Sequence, residues 1–260
     1  VTDALVGWSG YVGQTLLRQR SFDLQYRSTD IEGIRDQEVD LLVCAGAPAQ
    51  KWIADREPEA DRAKLEALAR HLDQVRARRV VLISTVDVFA DSRGADEASD
   101  PDAVEPGPYG RNRRWLERRV AERFPGALIV RLPGLVGPGL RKNAVFDLRN
   151  DNNLAAIDAR AVYQFYPMVS LWADIRAALE AGLDLVHLTA EPVSVADVAR
   201  EGFGRDFENE VVGRTPAAYD LRTRHAALFG GQGAYQYSRR ESLMAIRAYA
   251  QSEPRSKALA

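Results

Sequence analysis

The sequence predicts an α/β chain, a doubly wound parallel sheet with a small lobe towards the C-terminus. Three observations predict it. Short β-branched apolar runs alternate with helically spaced stretches through the first half. A glycine-rich turn, Gly7-Trp8-Ser9-Gly10-Tyr11-Val12-Gly13, directly follows the first run. The length, 260 residues of which 46% are apolar, suits one large domain or one domain with a small appendage.

Ala4-Leu5-Val6 is the first strand, and a helix from about Gly10 to Arg20 follows with Val12, Leu16 and Leu17 on one face. Leu24 to Tyr26 and Asp40 to Ala45 read as the next strands. Leu65, Leu68, Leu72 and Val75 have helical spacing within a helix placed at 59–78. Arg79 to Ser84 is continuous and β-branched, as in a strand buried on both faces. Residues 90–108, rich in Asp, Ser, Gly and Pro, form a loop. A helix at 109–123 and a strand at 127–132 complete the alternating half. Beyond it, strands are expected at 163–167, 185–188 and 210–214, and helices at 170–181, 194–203 and 239–251. Ser194 and Asp197 have capping-box spacing. Residues 253–260 are expected to fray.

Composition excludes several functions. The 35 basic residues nearly balance 37 acidic ones, which is no nucleic-acid footprint. Arg111, Arg113, Arg114, Arg118 and Arg119 read as a solvated helix face. Cys44 is the only cysteine, and His71, His187 and His225 are far apart, so neither a disulfide framework nor a metal site is expected. No apolar run approaches the roughly 18 residues of a membrane span. With the first strand so near the start, no signal peptide is expected, and a soluble, cytoplasmic protein is.

Glycines at 7, 10 and 13 allow a tight turn, close approach of backbone to a pyrophosphate, and close helix–strand packing. The helix start then supplies amides and dipole to the phosphates. Placed after the first strand of an alternating pattern, the turn points to a dinucleotide, NAD(P). An acid ending the second strand would select NAD, and an Arg would suit the NADP phosphate. Here the strand ends in Arg27 and Ser28, with no acid before Asp30, which slightly favours NADP. Arg27 as an exposed loop cation is the alternative.

Further along stand Ile83-Ser84-Thr85-Val86-Asp87-Val88-Phe89 and then Tyr109-Gly110-Arg111-Asn112-Arg113. This arrangement resembles the extended short-chain dehydrogenase/reductases, in which a strand ending in Ser/Thr is followed by a Tyr-x-x-x-Lys helix. The strand segment is similar to the Ser-Thr-Asp-x-Val-Phe motif of dTDP-4-dehydrorhamnose reductases. Cys44-Ala45-Gly46-Ala47 looks like the family segment beside the adenine ribose. Arg131 to Gly139, containing Pro133 and Gly134, looks like the one passing the nicotinamide, and Glu191 to Val195 resembles a turn of the sugar-nucleotide half. The likeness runs from about residue 3 to about residue 205. It implies a Rossmann core at 1–137 and an abbreviated substrate lobe at 138–260, interleaved with the last core strands and helices.

The resemblance makes Thr85 the catalytic hydroxyl, with Ser84 a strand-end residue, and Tyr109 the acid/base. Arg113 stands where the family has Lys. An unperturbed Tyr titrates near 10, so activation needs about three units, roughly 4 kcal/mol. Arg113, one turn along the helix, is the cation expected to supply it and to hold the ribose, although its planar fork reaches differently from an ammonium.

On the substrate side, Arg141, Lys142 and Asn143 suit a diphosphate. Gln164 to Pro167 and Trp172 are cleft-lining candidates, with Arg160 and Arg214 weaker phosphate candidates. The implied activity is NAD(P)-dependent oxidoreduction of a nucleotide-sugar carbonyl or carbinol. Epimerisation is the nearest alternative. Dehydration is less expected, because Asp87 has no adjacent acidic partner. A non-enzymatic NAD(P)-binding sensor or scaffold is the alternative that Arg113 keeps open. The family's dimer helices correspond to 59–78 and 109–123, so a homodimer is expected.

Overall fold

The computed structural model describes residues 2–255; of the expected frayed tail, 256–260 lie outside them. The strands are β1 Asp3–Val6, β2 Leu24–Tyr26, β3 Glu38–Cys44, β4 Arg76–Thr85, β5 Leu128–Leu132, β6 Gly134–Val136, β7 Val162–Tyr163, β8 Phe165–Pro167, β9 Leu185–His187 and β10 Val193–Ser194. The helices are α1 Tyr11–Gln19, α2 Lys51–Arg56, α3 Pro58–Leu72, α4 Pro108–Arg123, α5 Ala144–Asn150, α6 Leu171–Glu180, α7 Val195–Asp197 and α8 Arg239–Ser252.

Two compact units divide the chain. The first comprises 1–92, 97–132 and 171–187, and the second 93–96, 133–170 and 188–260. The first unit holds a six-stranded, wholly parallel sheet in the order β2-β1-β3-β4-β5-β9. Because β1 lies between β2 and β3, the chain reverses its winding there, and right-handed crossovers place helices on both faces. Ligands of such sheets bind beyond the strands' carboxyl ends at this switch point. The glycine turn follows β1, Arg27 follows β2, Ala45 follows β3, and Thr85 ends β4. Beneath α3 and α4, Leu42, Leu65, Leu72, Leu82 and Leu116 form the centre of the core.

One expected helix is too long. α3 stops at Leu72, and residues 76–78 are strand, paired with β3 from Glu38↔Arg76 onward. Val75 continues the apolar spacing but is buried as the lead-in to β4. Arg76 and Arg78 disguise the strand, and both meet acids of β3, Glu38 at 3.6 Å and Asp40 at 3.3 Å.

The second unit pairs β6 with β8 in parallel and β7 with β10 antiparallel. Gln164 is its polar hub. Its amide donates to Thr189 Oγ1 and to the carbonyls of Ala190 and Leu221, while its own oxygen accepts the Leu221 N–H. Phe165 and Tyr166 are core residues, not cleft lining. Ser194 caps α7 by accepting the Asp197 N–H, after which the chain winds as a π-helix over Val198–Gly202. The expected strand at 210–214 is absent: the segment is a turn with Gly213 at φ +75° and Val212 almost wholly exposed. Its two adjacent valines look like strand but have no sheet edge to join.

Candidate active site

The glycine turn closes by backbone alone. Gly7 N–H donates to the Tyr26 carbonyl at 2.7 Å, and Gly10 N–H donates to the Gly7 carbonyl at 3.0 Å. Gly7 has φ +86°, and a Cβ there would overlap the Ala45 carbonyl; one on Gly13 would overlap the Gly7 carbonyl. At Gly10 a Cβ would meet nothing nearer than 3.4 Å. Helix α1 starts there with no side-chain cap and no acidic residue in its first turn. A helix start of this kind, with no acidic residue of its own, suits a pyrophosphate through its amides and dipole. Trp8 carries the Arg27 guanidinium 5.5 Å from its ring centroid. Asp30 folds back to accept the Arg27 N–H at 2.6 Å, its carboxylate 3.7 Å from the Arg27 Nε, while Ser28 is exposed.

After β3, Ala45 N–H donates to the Val6 carbonyl at 2.8 Å, which fixes Ala45 and Gly46 against the glycine turn. The side chain of Cys44 is buried in the core, where burial pushes its thiol up to about 11. Only backbone at that position is available to a ligand.

Thr85 and Tyr109 are tied to one intervening residue. Thr85 Oγ1 accepts the Asp87 N–H at 3.2 Å and lies 3.4 Å from the Asp87 carboxylate. Gly110 packs against the Asp87 carbonyl so closely that a Cβ would overlap it. Tyr109 N–H donates to Asp55 at 3.0 Å, which anchors the start of α4 to α2. Lys51 Nζ reaches Asp87 Oδ1 at 2.6 Å. Lys51 and Asp55 of α2 and Asp61 of α3 join this cluster without any local spacing signal in the sequence.

The expectation for Arg113 requires correction. Its guanidinium is buried and bidentate on Asp61, Nη1 to Oδ2 at 2.7 Å and Nη2 to Oδ1 at 3.0 Å, and it also donates to the Pro48 carbonyl. It stacks on the Tyr109 ring, 4.2 Å from the centroid. Burial pushes the Tyr109 hydroxyl above the ordinary tyrosine range; Arg113 opposes this, and the charges of Asp87 and Asp61 add to it. The expected depression is not found, because burial outweighs both the charge of Arg113 and its hydrogen bond to the Tyr109 side chain. Among Arg113's polar atoms only Nε is buried without a partner.

Behind Thr85, the Ser84 hydroxyl donates to Glu117 at 2.6 Å, and Glu117 is bidentate with Arg131 at 2.9 and 2.8 Å. Ser84 is thereby engaged in a buried network, which Arg131 extends to His187. Trp172 packs with Phe22 and Arg20, so it is a packing residue and not cleft lining.

The remaining expected positions belong to the second unit. Gly134 begins β6, and Arg141 and Lys142 are exposed. Asn143 is not available to a substrate: its Oδ1 accepts the Val145 and Phe146 amides, capping α5, and its Nδ2 donates to the Leu135 carbonyl. Arg160 is paired with Asp158 and Glu210, and Arg214 is exposed. Among the described residues no group of His, Cys, Asp and Glu could hold a metal ion, and no helix is long and apolar enough to cross a membrane.

Solved structures with the same architecture include a dTDP-4-dehydrorhamnose reductase from Bacillus anthracis in complex with NADP. Its TM-score is 0.75 at 16% identity, covering 97% of this chain and 98% of that one. The chain shares its fold. A dTDP-4-dehydrorhamnose reductase from Clostridium acetobutylicum superposes with TM-score 0.73 at 17% identity, covering 96% and 99%. A UDP-glucuronic acid 4-epimerase from Bacillus cereus, in complex with a fluorinated UDP-sugar and NAD, gives 0.69 at 13% identity, covering 96% and 98%. No family model and no curated protein sequence matches the chain.

Proposed function

We propose that the chain is an NAD(P)-dependent oxidoreductase acting on a carbonyl or carbinol carbon of a nucleotide-sugar-type substrate. The observation that carries this reading is the convergence on Asp87. Its amide orients Thr85 and its carbonyl seats Gly110 beside Tyr109, at the same sheet edge as an uncapped helix start behind a glycine turn.

The residues fit the dinucleotide. Gly7, Trp8, Ser9, Gly10, Tyr11, Val12 and Gly13 would hold the pyrophosphate, Arg27 and Ser28 the adenosine ribose or its phosphate, and the Cys44-Ala45-Gly46 backbone the adenine side. Pro133 and Gly134 would pass the nicotinamide. When bound, the dinucleotide supplies or takes a hydride. Tyr109 Oη moves the proton, and Thr85 Oγ1 hydrogen-bonds the substrate oxygen. Arg113 holds the Tyr109 ring in place through its face. Arg141 and Lys142 contact the diphosphate of the substrate. The chain pairs with a second copy through α3 and α4, and a single monomer mass at micromolar concentration would overturn that part.

A second reading, a dinucleotide-binding sensor without turnover, is favoured by one observation, the closed Arg113–Asp61 pair. Both readings require binding. Titration with NADPH and NADH, following energy transfer from Trp8 to the reduced nicotinamide, is expected to saturate; if neither dinucleotide binds, both readings fall. Turnover lost in Tyr109→Phe separates the enzyme from the sensor.

A further inference from the structure

We propose that Lys51 is a dinucleotide-binding residue whose ammonium takes the hydroxyls of the ribose that carries the nicotinamide, beside Thr85 at the end of β4. The inference rests on the dinucleotide-binding reading and adds to it a contact on the reacting half.

The sheet order sets where such a ligand runs. The strands lie in the order β2-β1-β3-β4. A ligand with its pyrophosphate on the glycine turn after β1 and its reacting end at Thr85 after β4 therefore crosses the end of β3. The chain leaving β3 follows the same line, from Ala45 and Gly46 against the glycine turn to Lys51 at the start of α2. Two bonds pin this segment. The Pro48 carbonyl accepts from Arg113, and Asp55 accepts the Tyr109 amide at 3.0 Å. Lys51 and Asp55 are four residues apart on one helix face, so the bond to Tyr109 also fixes the direction of Lys51. Its Nζ lies 2.6 Å from Asp87 Oδ1, and the other oxygen of that carboxylate lies 3.4 Å from Thr85 Oγ1.

Lys51 and Arg113 both border this point, and they differ in what they can reach. Arg113 is 3% exposed, and its guanidinium is engaged by Asp61, the Pro48 carbonyl and the Tyr109 side chain. Lys51 is 48% exposed, and the carboxylate that holds it is 19% exposed. An ammonium is a compact charge with three donors on a flexible stem, so it can keep Asp87 and still meet a ligand oxygen. The pair selects the chemistry of that ligand. A vicinal diol fits it: one oxygen accepts from the ammonium while the other hydroxyl donates to the Asp87 carboxylate, each a charge-assisted bond. A phosphate does not, because the Asp87 charge repels it. The dinucleotide brings such a diol to this place, on the ribose between its pyrophosphate and its nicotinamide.

The experiment compares NADPH, NADH, ADP-ribose and ADP on the unmodified chain and on Lys51→Met. The reduced dinucleotides are followed by energy transfer from Trp8, and the other two by competition against them. ADP-ribose carries the second ribose without the nicotinamide, whereas ADP stops at the pyrophosphate. Methionine keeps the length of the stem, and a half-exposed ion pair contributes little to folding, so the variant is expected to fold. Lys51→Met is expected to weaken NADPH, NADH and ADP-ribose by about tenfold, the loss of one charge-assisted hydrogen bond, and to leave ADP unchanged. A residue that only supported the fold would not separate ADP-ribose from ADP. Equal weakening of all four ligands would mean that Lys51 acts on the whole site, and would overturn the proposal. Unchanged affinity for all four would mean that the Lys51–Asp87 pair serves a diol of the substrate sugar, and would overturn it as well. If neither NADPH nor NADH binds the unmodified chain, the dinucleotide reading itself fails, and this contact falls with it.

Discussion

Gly110 and the carbonyl oxygen of Asp87 are in direct contact, closer than any Cβ at residue 110 would permit. The contact sets the distance between the end of β4, with Thr85, and the start of α4, with Tyr109. Backbone stands on both sides, so neither partner can yield as a flexible side chain would. Gly110→Ala is therefore expected to cost about 1–3 kcal/mol, as overpacking does, and to weaken NADPH binding by displacing Tyr109. Urea denaturation and the dinucleotide titration check it; unchanged stability would mean that α4 shifts freely.

Arg131 and Glu117 make the second prediction. Both are almost fully buried, and Ser84 and Arg114 add hydrogen bonds to the same carboxylate. Arg131→Met leaves Glu117 charged and short of its main partner, so a loss of roughly 3–5 kcal/mol is expected. Ser84→Ala removes one charge-assisted bond, worth about 1.5–3 kcal/mol. Ser84→Ala is expected to retain dinucleotide binding, since its hydroxyl is turned to Glu117. Chemical denaturation of each variant measures the cost; a loss under about 1 kcal/mol for Arg131→Met would show that solvent reaches Glu117.

The doubly wound sheet was legible because each buried strand, such as 80–83, is a continuous apolar run, and because the glycines at 7, 10 and 13 admit few other uses. The limits lay where charge or small size hid an element. Arg76 and Arg78 concealed the first residues of β4, and α2 is too short for a periodicity. The candidate site was legible at Thr85 and Tyr109, whose neighbours in sequence set their position. It was not legible at Arg113, because its partner Asp61 lies 52 residues away on a helix recognisable only by its apolar face. Asn143 misled for a related reason. An amide beside two cations suits a phosphate, but the same amide before Ala144 and Val145 is an N-cap, and local backbone competes first for such a side chain.

Two tyrosines predict alkaline behaviour. Burial first, then the hydrogen bond to Asp220, pushes the Tyr235 hydroxyl up to about 12, and burial followed by the Glu253 charge does the same for Tyr249. In the unfolded chain both ionise near 10. Between about pH 10 and 12 the folded state keeps protons that the unfolded state releases, so stability falls as pH rises. That contribution is complete below pH 10 and lost above about 12. Urea midpoints measured across this window are expected to decline more steeply in the unmodified chain than in Tyr249→Phe. Equal slopes would remove Tyr249 from the account.

Arg27 provides the test of dinucleotide choice. Its guanidinium is half exposed over Trp8, and Asp30 sits beside it as a weak counter-charge at 3.7 Å. Asp30 also holds the Arg27 amide, which ties the acid to the turn and away from the role of a ribose-binding carboxylate at the strand end. A ribose phosphate would displace Asp30 from the guanidinium at little cost, because an exposed pair of this kind is worth well under about 1 kcal/mol. The gain is a charge-assisted bond of about 1.5–3 kcal/mol, taken at its lower end for solvent exposure. Arg27→Ala is therefore expected to weaken NADPH binding about tenfold and to leave NADH nearly unchanged. The NADPH preference is also expected to shrink as salt rises, since the charges involved are screened. Equal weakening of both dinucleotides would instead mean that Arg27 acts through Trp8 on a part common to both, and the NADP preference would be withdrawn.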